Sequence, residues 1–126
     1  MTEAPPTLPT RRSSLRAAAL VLFVHGAIEV LGLGLLAAPP SALPPSLAER
    51  PLFWGLIAAL YGSARLVAAV GVWAGRTWAV ALGILCSGAT LVVAPSIPPW
   101  GVLDLLFALP TLVLLLGVWF GNSSIE

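Results

Sequence analysis

The chain has 126 residues, of which 59% are hydrophobic and only 9% are charged. A soluble domain usually carries about 25% charged residues, so these side chains cannot cover a water-exposed globule. The net charge of +1, without a basic patch, also argues against a nucleic-acid-binding protein. We therefore expect a single integral membrane domain.

Four apolar stretches follow one another along the chain. Residues 1–16 precede them and form a predicted flexible, basic tail, because prolines are dense there and resist helix formation. A helix needs about 20 residues to cross the hydrocarbon core of a bilayer. The predicted spans are residues 17–38, 52–74, 78–94 and 100–120, and residues 121–126 form a short polar tail. Because the connections are short, the sequence predicts an all-α, up-down-up-down four-helix bundle.

The first span has a second interpretation. Arg11 and Arg12, an apolar run and then Ala37-Ala38 resemble a twin-arginine or secretory signal peptide. The apolar run is longer than the roughly 7–15 residues of a signal's hydrophobic region, and Glu29 lies inside it. We therefore expect the first span to be retained as a membrane helix.

The distribution of arginine predicts the orientation. Arg11, Arg12 and Arg16 precede the first span and Arg76 lies between the second and third, whereas Arg50 is the arginine on the opposite side. The positive-inside rule then places both termini in the cytoplasm. The use of arginine without lysine is typical of GC-rich bacterial genomes. We therefore expect a multi-pass protein of the bacterial cytoplasmic (inner) membrane.

The tryptophans fall at the predicted ends of the spans. An indole ring favours the headgroup level, where its body is half buried and its N–H stays hydrated. The sequence therefore predicts five interfacial anchors, namely Trp54, Trp73, Trp78, Trp100 and Trp119.

Polar side chains inside the spans form the candidate site. An ionisable group at the bilayer centre costs about 2.5–3.5 kcal/mol on insertion scales, so such groups normally face the bundle interior and pair. His25 and Glu29 share one face of the first span, and Tyr61 and Arg65 share one face of the second, because each pair is four residues apart. The sequence predicts a Glu29–Arg65 ion pair flanked by the other two side chains. Asp104, near the start of the fourth span, either joins this site or acts as a hydrated residue at the helix start.

This polar site has a structural and a functional interpretation. In the structural one, the ion pair only specifies how the helices pack, which buried charges can do. In the functional one, it binds a proton, an ion or a small ligand. The residues alone leave both open.

Small residues recur at four-residue spacing in the second and third spans. Such stripes allow helix backbones to approach closely, either within the bundle or against a partner protein. They are Gly55 and Ala59, Ala58 and Gly62, and the set Ala79, Gly83 and Ser87.

The second span and the turn after it resemble a known family. A Tyr-x-x-x-Arg helix runs into a Gly-x-Trp-x-Gly-Arg-x-Trp-Ala turn, and this pattern is similar to the bacterial four-helix membrane family catalogued as domain of unknown function 2127. The resemblance covers part of the chain and implies its topology without an activity. It is carried by Tyr61, Arg65, Gly71, Trp73, Gly75, Arg76, Trp78 and Ala79, with residues 25–32 in the first span.

A second resemblance is to the small multidrug-resistance transporters. These four-helix proteins hold a membrane-embedded glutamate in their first helix, and Glu29 within residues 26–32 lies at a similar place. Arg65 departs from that pattern, because it would neutralise a carboxylate that such transporters keep free for cationic substrates.

Three functions are compatible with these features to different degrees. The favoured one is an accessory, assembly or binding subunit of a larger membrane complex, because the loops are short and no motif for chemistry is found. The alternative is a small oligomeric transporter or channel with Glu29 and Arg65 in its path. A membrane redox enzyme ranks last, since bis-histidine haem ligation needs two histidines and His25 is the only one. We therefore predict no catalytic residue, no metal and no cofactor, with the bilayer and other membrane subunits or further copies of the chain as partners.

Overall fold

The computed structural model of the protein describes residues 11–43, 45–96 and 100–121. Four of its helices are long and apolar enough to cross a membrane, which confirms the predicted all-α four-helix fold. The α-helices are α1 (Arg11–Leu31), α2 (Pro45–Ala48), α3 (Pro51–Trp73), α4 (Thr77–Val93) and α5 (Trp100–Phe120). Short 3-10 segments occupy Gly32–Ala37, Pro40–Ala42 and Ala94–Ser96.

The first membrane helix differs from the prediction at both ends. It begins at Arg11 rather than at residue 17, because no proline interrupts the chain there and Leu15 is already buried in the bundle. The Arg16 guanidinium also lies 5.1 Å from the centre of the Trp73 ring, which connects the second turn of α1 to α3. Near its other end, α1 tightens into a 3-10 segment at Gly32, where glycine weakens the α-helix by about 1 kcal/mol relative to alanine.

The four membrane helices form a closed ring of neighbours. Helix α1 packs against α3 and α5, and α4 packs against the same two helices. The bundle has an arginine end, where Arg16 and Arg76 lie, and a loop end formed by residues 32–43, 45–50 and 94–96. The predicted tail residues 1–10 and 122–126 lie outside the described residues.

The turn between α3 and α4 reverses the chain within three residues. Gly75 has a φ of 75°, a left-handed conformation that glycine adopts without steric cost. Its N–H donates to the carbonyl of Val72 over 2.9 Å, and the N–H of Arg76 donates to the carbonyl of Gly71 over 2.8 Å. These two bonds form a Schellman motif, which ends α3 and starts the antiparallel α4.

The apolar core lies toward the arginine end. Its members come from all four membrane helices, so the bundle is tightly packed there. They include Leu22, Ala68, Val72, Ala79, Leu115 and Val118.

Glycines allow the helices to approach closely beside the polar site. A Cβ atom placed on Gly26 would lie 2.8 Å from the carbonyl oxygen of Gly62, and one placed on Gly62 would lie 3.0 Å from the carbonyl oxygen of Gly26. Similarly, a Cβ atom on Gly83 would lie 2.6 Å from a methyl group of Leu115. The third-span stripe is buried, as Ala79, Gly83 and Ser87 show, so these small residues hold the chain's own bundle together.

The outward faces of the bundle carry large apolar side chains. Leu31, Val70 and Val92 are among the most exposed, at 78%, 70% and 80% of their surface. Such a surface would be unfavourable in water and fits contact with the acyl chains of a bilayer.

Candidate intramembrane polar site

Arg65 is the centre of the polar site. Its side chain is only 1% exposed, although it is the one charged side chain of the second membrane helix, α3. Its Nη1 donates to Oε1 of Glu29 on α1, and its Nη2 donates to the hydroxyl of Thr90 on α4. Nη2 also lies 3.4 Å from the carbonyl oxygen of Cys86, one turn before that threonine. One guanidinium thus connects three membrane helices.

His25 connects the fourth membrane helix to this cluster. Its Nε2 lies 3.1 Å from Oδ1 of Asp104 on α5 and also 3.1 Å from Oε1 of Glu29. The imidazole stacks on the Phe107 ring with 5.2 Å between the ring centres. Because His25 is 2% exposed, its position is fixed by packing as well as by hydrogen bonds.

The cluster combines two carboxylates with two groups that can be cationic. Glu29 and Asp104 are negative when ionised, Arg65 is positive, and the ring of His25 can carry a proton. Pairing reduces the cost of about 2.5–3.5 kcal/mol for each isolated charge at mid-membrane depth. Within the described part of the chain, Oε2 of Glu29 and Nε of Arg65 are buried without a hydrogen-bond partner. The cluster therefore keeps one free acceptor and one free donor.

Tyr61 lies beside the guanidinium. Its ring centre is 5.7 Å from the central carbon of the Arg65 guanidinium, within the range of a cation–π contact. The tyrosine is half-buried and lines a cavity between the helices.

A cavity of about 380 Å³ lies between the helices, in the half of the bundle nearer the loop end. Glu29, Tyr61, Arg65, Thr90 and Asp104 contribute polar groups to its lining. The remaining lining is almost entirely apolar. It includes Ile28, Leu43, Leu47, Trp54, Ile57, Ala58, Val93 and Leu103.

The structure brings all five predicted site residues into one cluster. Arg65 contacts both Glu29 and Tyr61, and Asp104 meets His25 rather than standing apart as a hydrated residue at the start of α5.

The roles of Thr90, Gly26 and Phe107 in this cluster were not predicted from the sequence, whereas Gly62 was predicted as a small residue that allows close helix approach. Thr90 could have been noticed as a hydroxyl amid an apolar span. Gly26 and Gly62 also carry a signal, because each lies three residues before a charged partner and allows α1 and α3 to meet. The stacking of Phe107 on His25 has no comparable signal, because phenylalanine is common throughout membrane spans.

The tryptophans occupy both ends of the bundle. Trp73, Trp78 and Trp119 are exposed near the arginine end, at 52%, 55% and 45%. Trp54 is half-buried near the loop end and meets Phe53 edge to face, with 5.1 Å between ring centres. The side chain of the predicted anchor Trp100 lies outside what the structure describes.

Comparison of the chain with protein-family models, curated proteins and solved structures finds no match. The site itself is a largely buried cluster of paired polar groups beside a mostly apolar cavity.

Proposed function

We propose that this small polytopic membrane protein is a binding protein whose cavity takes up a small amphipathic molecule. The observation that supports this is a cavity that has one cluster of polar groups and an otherwise apolar lining. Ligand sites commonly have volumes of about 300–1,000 Å³ and a few convergent polar groups in an apolar surround. The cavity of about 380 Å³ lies at the lower end of that range.

The apolar lining of the cavity determines which kind of ligand body fits. Ile57, Ala58 and Leu103 line the cavity from α3 and α5, while Leu43 and Leu47 line it from the loop end. These side chains offer no strong hydrogen-bonding group, so the ligand body that fits them is apolar. A molecule that partitions into the bilayer would have this property.

The polar groups of the cavity lining determine which kind of ligand head group fits. Oε2 of Glu29 is a buried acceptor without a partner, and an unsatisfied buried polar atom costs about 1–3 kcal/mol. A ligand hydroxyl or N–H would satisfy that oxygen once a turn of the Glu29 side chain brings Oε2 to the cavity surface. The ring of Tyr61 and the free side of Asp104 border the same space. We therefore propose a head group that carries at least one hydrogen-bond donor.

The packed interior at the arginine end favours ligand binding over transport of a ligand through the bundle. The cavity lies toward the loop end, whereas Leu22, Val72 and Leu115 fill the interior toward the arginine end and are at most 1% exposed. A route through a single chain would have to open that packed half. The alternative function, an oligomeric transporter or channel that uses the Glu29–Arg65 pair, requires such an opening or a path between copies.

The cellular setting is part of the same proposal. We place the protein in a bacterial cytoplasmic membrane with both termini in the cytoplasm, on the basis of the arginine bias. Within this setting it acts as a binding subunit of a larger membrane complex. Because the third-span stripe is used inside the bundle, a partner would meet the large outward side chains instead. We also propose that the chain belongs to the family catalogued as domain of unknown function 2127.

The experiment compares two alanine-to-phenylalanine variants on α3. Ala58 lines the cavity and its neighbour Ala59 is not among the lining residues, so Ala58→Phe should fill the ligand space and Ala59→Phe should not. Native mass spectrometry of nanodisc-extracted protein should show a bound small molecule in the wild type and in Ala59→Phe, and its loss in Ala58→Phe. Wild-type protein without a bound small molecule, or equal retention by both variants, would contradict the proposal.

Partners and transport are tested separately. Crosslinking in native membranes followed by mass spectrometry should recover stoichiometric membrane partners, and a persistently solitary protein would argue against the subunit role. Reconstituted liposomes test the alternative. Flux that depends on both Glu29 and Arg65, measured with Glu29→Gln and Arg65→Ala, would favour transport over binding.

A further inference from the structure

We propose that His25, Glu29 and Asp104 together bind one divalent first-row transition-metal ion. One ligand atom from each of the three side chains lies within 4.8 Å of the other two. The side-chain geometry supports this site whether or not the cavity takes up the proposed amphipathic ligand, and both would use Oε2 of Glu29.

The distances fit the coordination sphere of a small cation. Nε2 of His25 lies 3.1 Å from Oε1 of Glu29 and 3.1 Å from Oδ1 of Asp104. A metal ion bound at about 2.1 Å from nitrogen and oxygen ligands would see each of these two edges at an angle of roughly 95°, which is close to octahedral geometry. The ligand atoms of all three side chains lie within 4.8 Å of one another, so binding requires the carboxylates to rotate inward, with the Glu29 carboxylate turning Oε2 toward the ion.

The helices hold the three ligands in place. His25 and Glu29 lie one turn apart on α1, so they point to the same side, and Asp104 reaches them from α5. The histidine ring is stacked on Phe107 and is 2% exposed, which restricts its rotation. A preorganised ligand set of this kind loses little conformational entropy when an ion binds.

The two oxygens of Glu29 have different surroundings. Oε1 accepts from the Arg65 guanidinium and lies 3.1 Å from Nε2 of His25, whereas Oε2 is buried and has no hydrogen-bond partner among the described residues. A metal ion that binds Oε2 leaves the ion pair with Arg65 intact. The arginine then acts as the outer-shell group that orients a ligating carboxylate.

The donor set indicates the class of metal. One imidazole with two carboxylates suits Zn²⁺, Fe²⁺, Mn²⁺ or Co²⁺ better than the oxygen-only environment that Mg²⁺ and Ca²⁺ prefer. Both carboxylates line the cavity, whereas His25 is absent from its lining. The remaining coordination positions therefore face the cavity, where water or a ligand can occupy them.

Co²⁺ is the probe, because its visible absorption reports the ligand field. Chelator-treated protein in nanodiscs is titrated with Co²⁺, and Zn²⁺ is then added to displace it. We expect one equivalent to bind, with a visible spectrum of nitrogen–oxygen coordination. Removal of a direct ligand should weaken binding by more than about 100-fold, since even outer-shell substitutions cost about 10–100-fold.

Asp104→Asn is the main variant because that side chain is 33% exposed and asparagine has the same shape. His25→Gln is the second variant. Glu49→Gln removes an exposed carboxylate outside the cluster, and Cys86→Ala removes the single thiol, so both controls should bind like the wild type.

Two results would overturn the proposal. One is wild-type protein that takes up no stoichiometric Co²⁺ or Zn²⁺, which would leave the cluster as a network of ion pairs. The other is unchanged affinity in a folded Asp104→Asn or His25→Gln variant, with folding checked by circular dichroism. Retention of Co²⁺ binding in Ala58→Phe would separate this site from the cavity ligand.

Discussion

Replacement of Arg65 by methionine should destabilise the bundle through the charge that it leaves behind. Methionine keeps most of the volume of the arginine stem but has no donor for Glu29 or Thr90. Arg65 is 1% exposed and the Glu29 side chain is 14% exposed, so little water can reach the carboxylate that loses its partner. The variant therefore leaves a nearly buried carboxylate without its cation.

The expected size follows from the environment of that carboxylate. Breaking a buried ion pair by removal of one partner typically costs about 3–5 kcal/mol. His25 remains 3.1 Å from Glu29 and retains part of the stabilisation, so we expect a loss near the lower limit, about 3 kcal/mol. This equals a decrease of roughly 100-fold in the ratio of folded to unfolded protein.

The double variant Glu29→Gln/Arg65→Met supplies the control. It removes both charges, so its stability should return to within about 1 kcal/mol of the wild type. Unfolding by sodium dodecyl sulfate in mixed micelles, followed by circular dichroism, measures all three proteins. If the double variant is as unstable as Arg65→Met, or if Arg65→Met is as stable as the wild type, the reasoning about the unpaired carboxylate is refuted.

Two further predictions test contacts around the same cluster by the same unfolding assay. Gly62→Ala places a methyl group 3.0 Å from the Gly26 carbonyl oxygen and should destabilise the bundle, whereas Gly88→Ala meets nothing within 4 Å and should be neutral or stabilising. We expect the two variants to differ by about 2 kcal/mol, and equal stabilities would argue against a close α1–α3 contact. Thr90→Val should cost about 1.5 kcal/mol because Arg65 loses a hydroxyl acceptor, while Thr90→Ser should retain most of that stability. A serine variant as unstable as the valine variant would point to packing instead.

The sequence predicts the bundle well because its signals are local. Four apolar runs near the length of a bilayer crossing, separated by short connections, leave few alternatives to an antiparallel bundle. The shared face of His25 and Glu29 follows from helical periodicity in the same way. Where α1 starts was harder to predict, because hydropathy marks the apolar run rather than the helix, and Arg11 and Arg16 extend the helix beyond that run.

Contacts between spans that are far apart in the sequence were harder to predict. The position of Asp104 against His25 depends on how α5 rotates against α1, and no periodicity within one helix fixes that rotation. The role of Thr90 likewise depends on where the Arg65 guanidinium ends after crossing to α4. The cavity depends on several helices and the loop end together, so it could only be recognised from the assembled structure.

The order of the charged residues along the chain has a consequence for biogenesis. Glu29 and Arg65 lie in consecutive spans, so the first helical hairpin already contains both opposite charges when it leaves the translocon. We expect the hairpin to enter the lipid phase as a unit with its charges matched, before the later spans have been synthesised. Separation of the two charges by an inserted span should then slow integration, even where the finished fold would tolerate it.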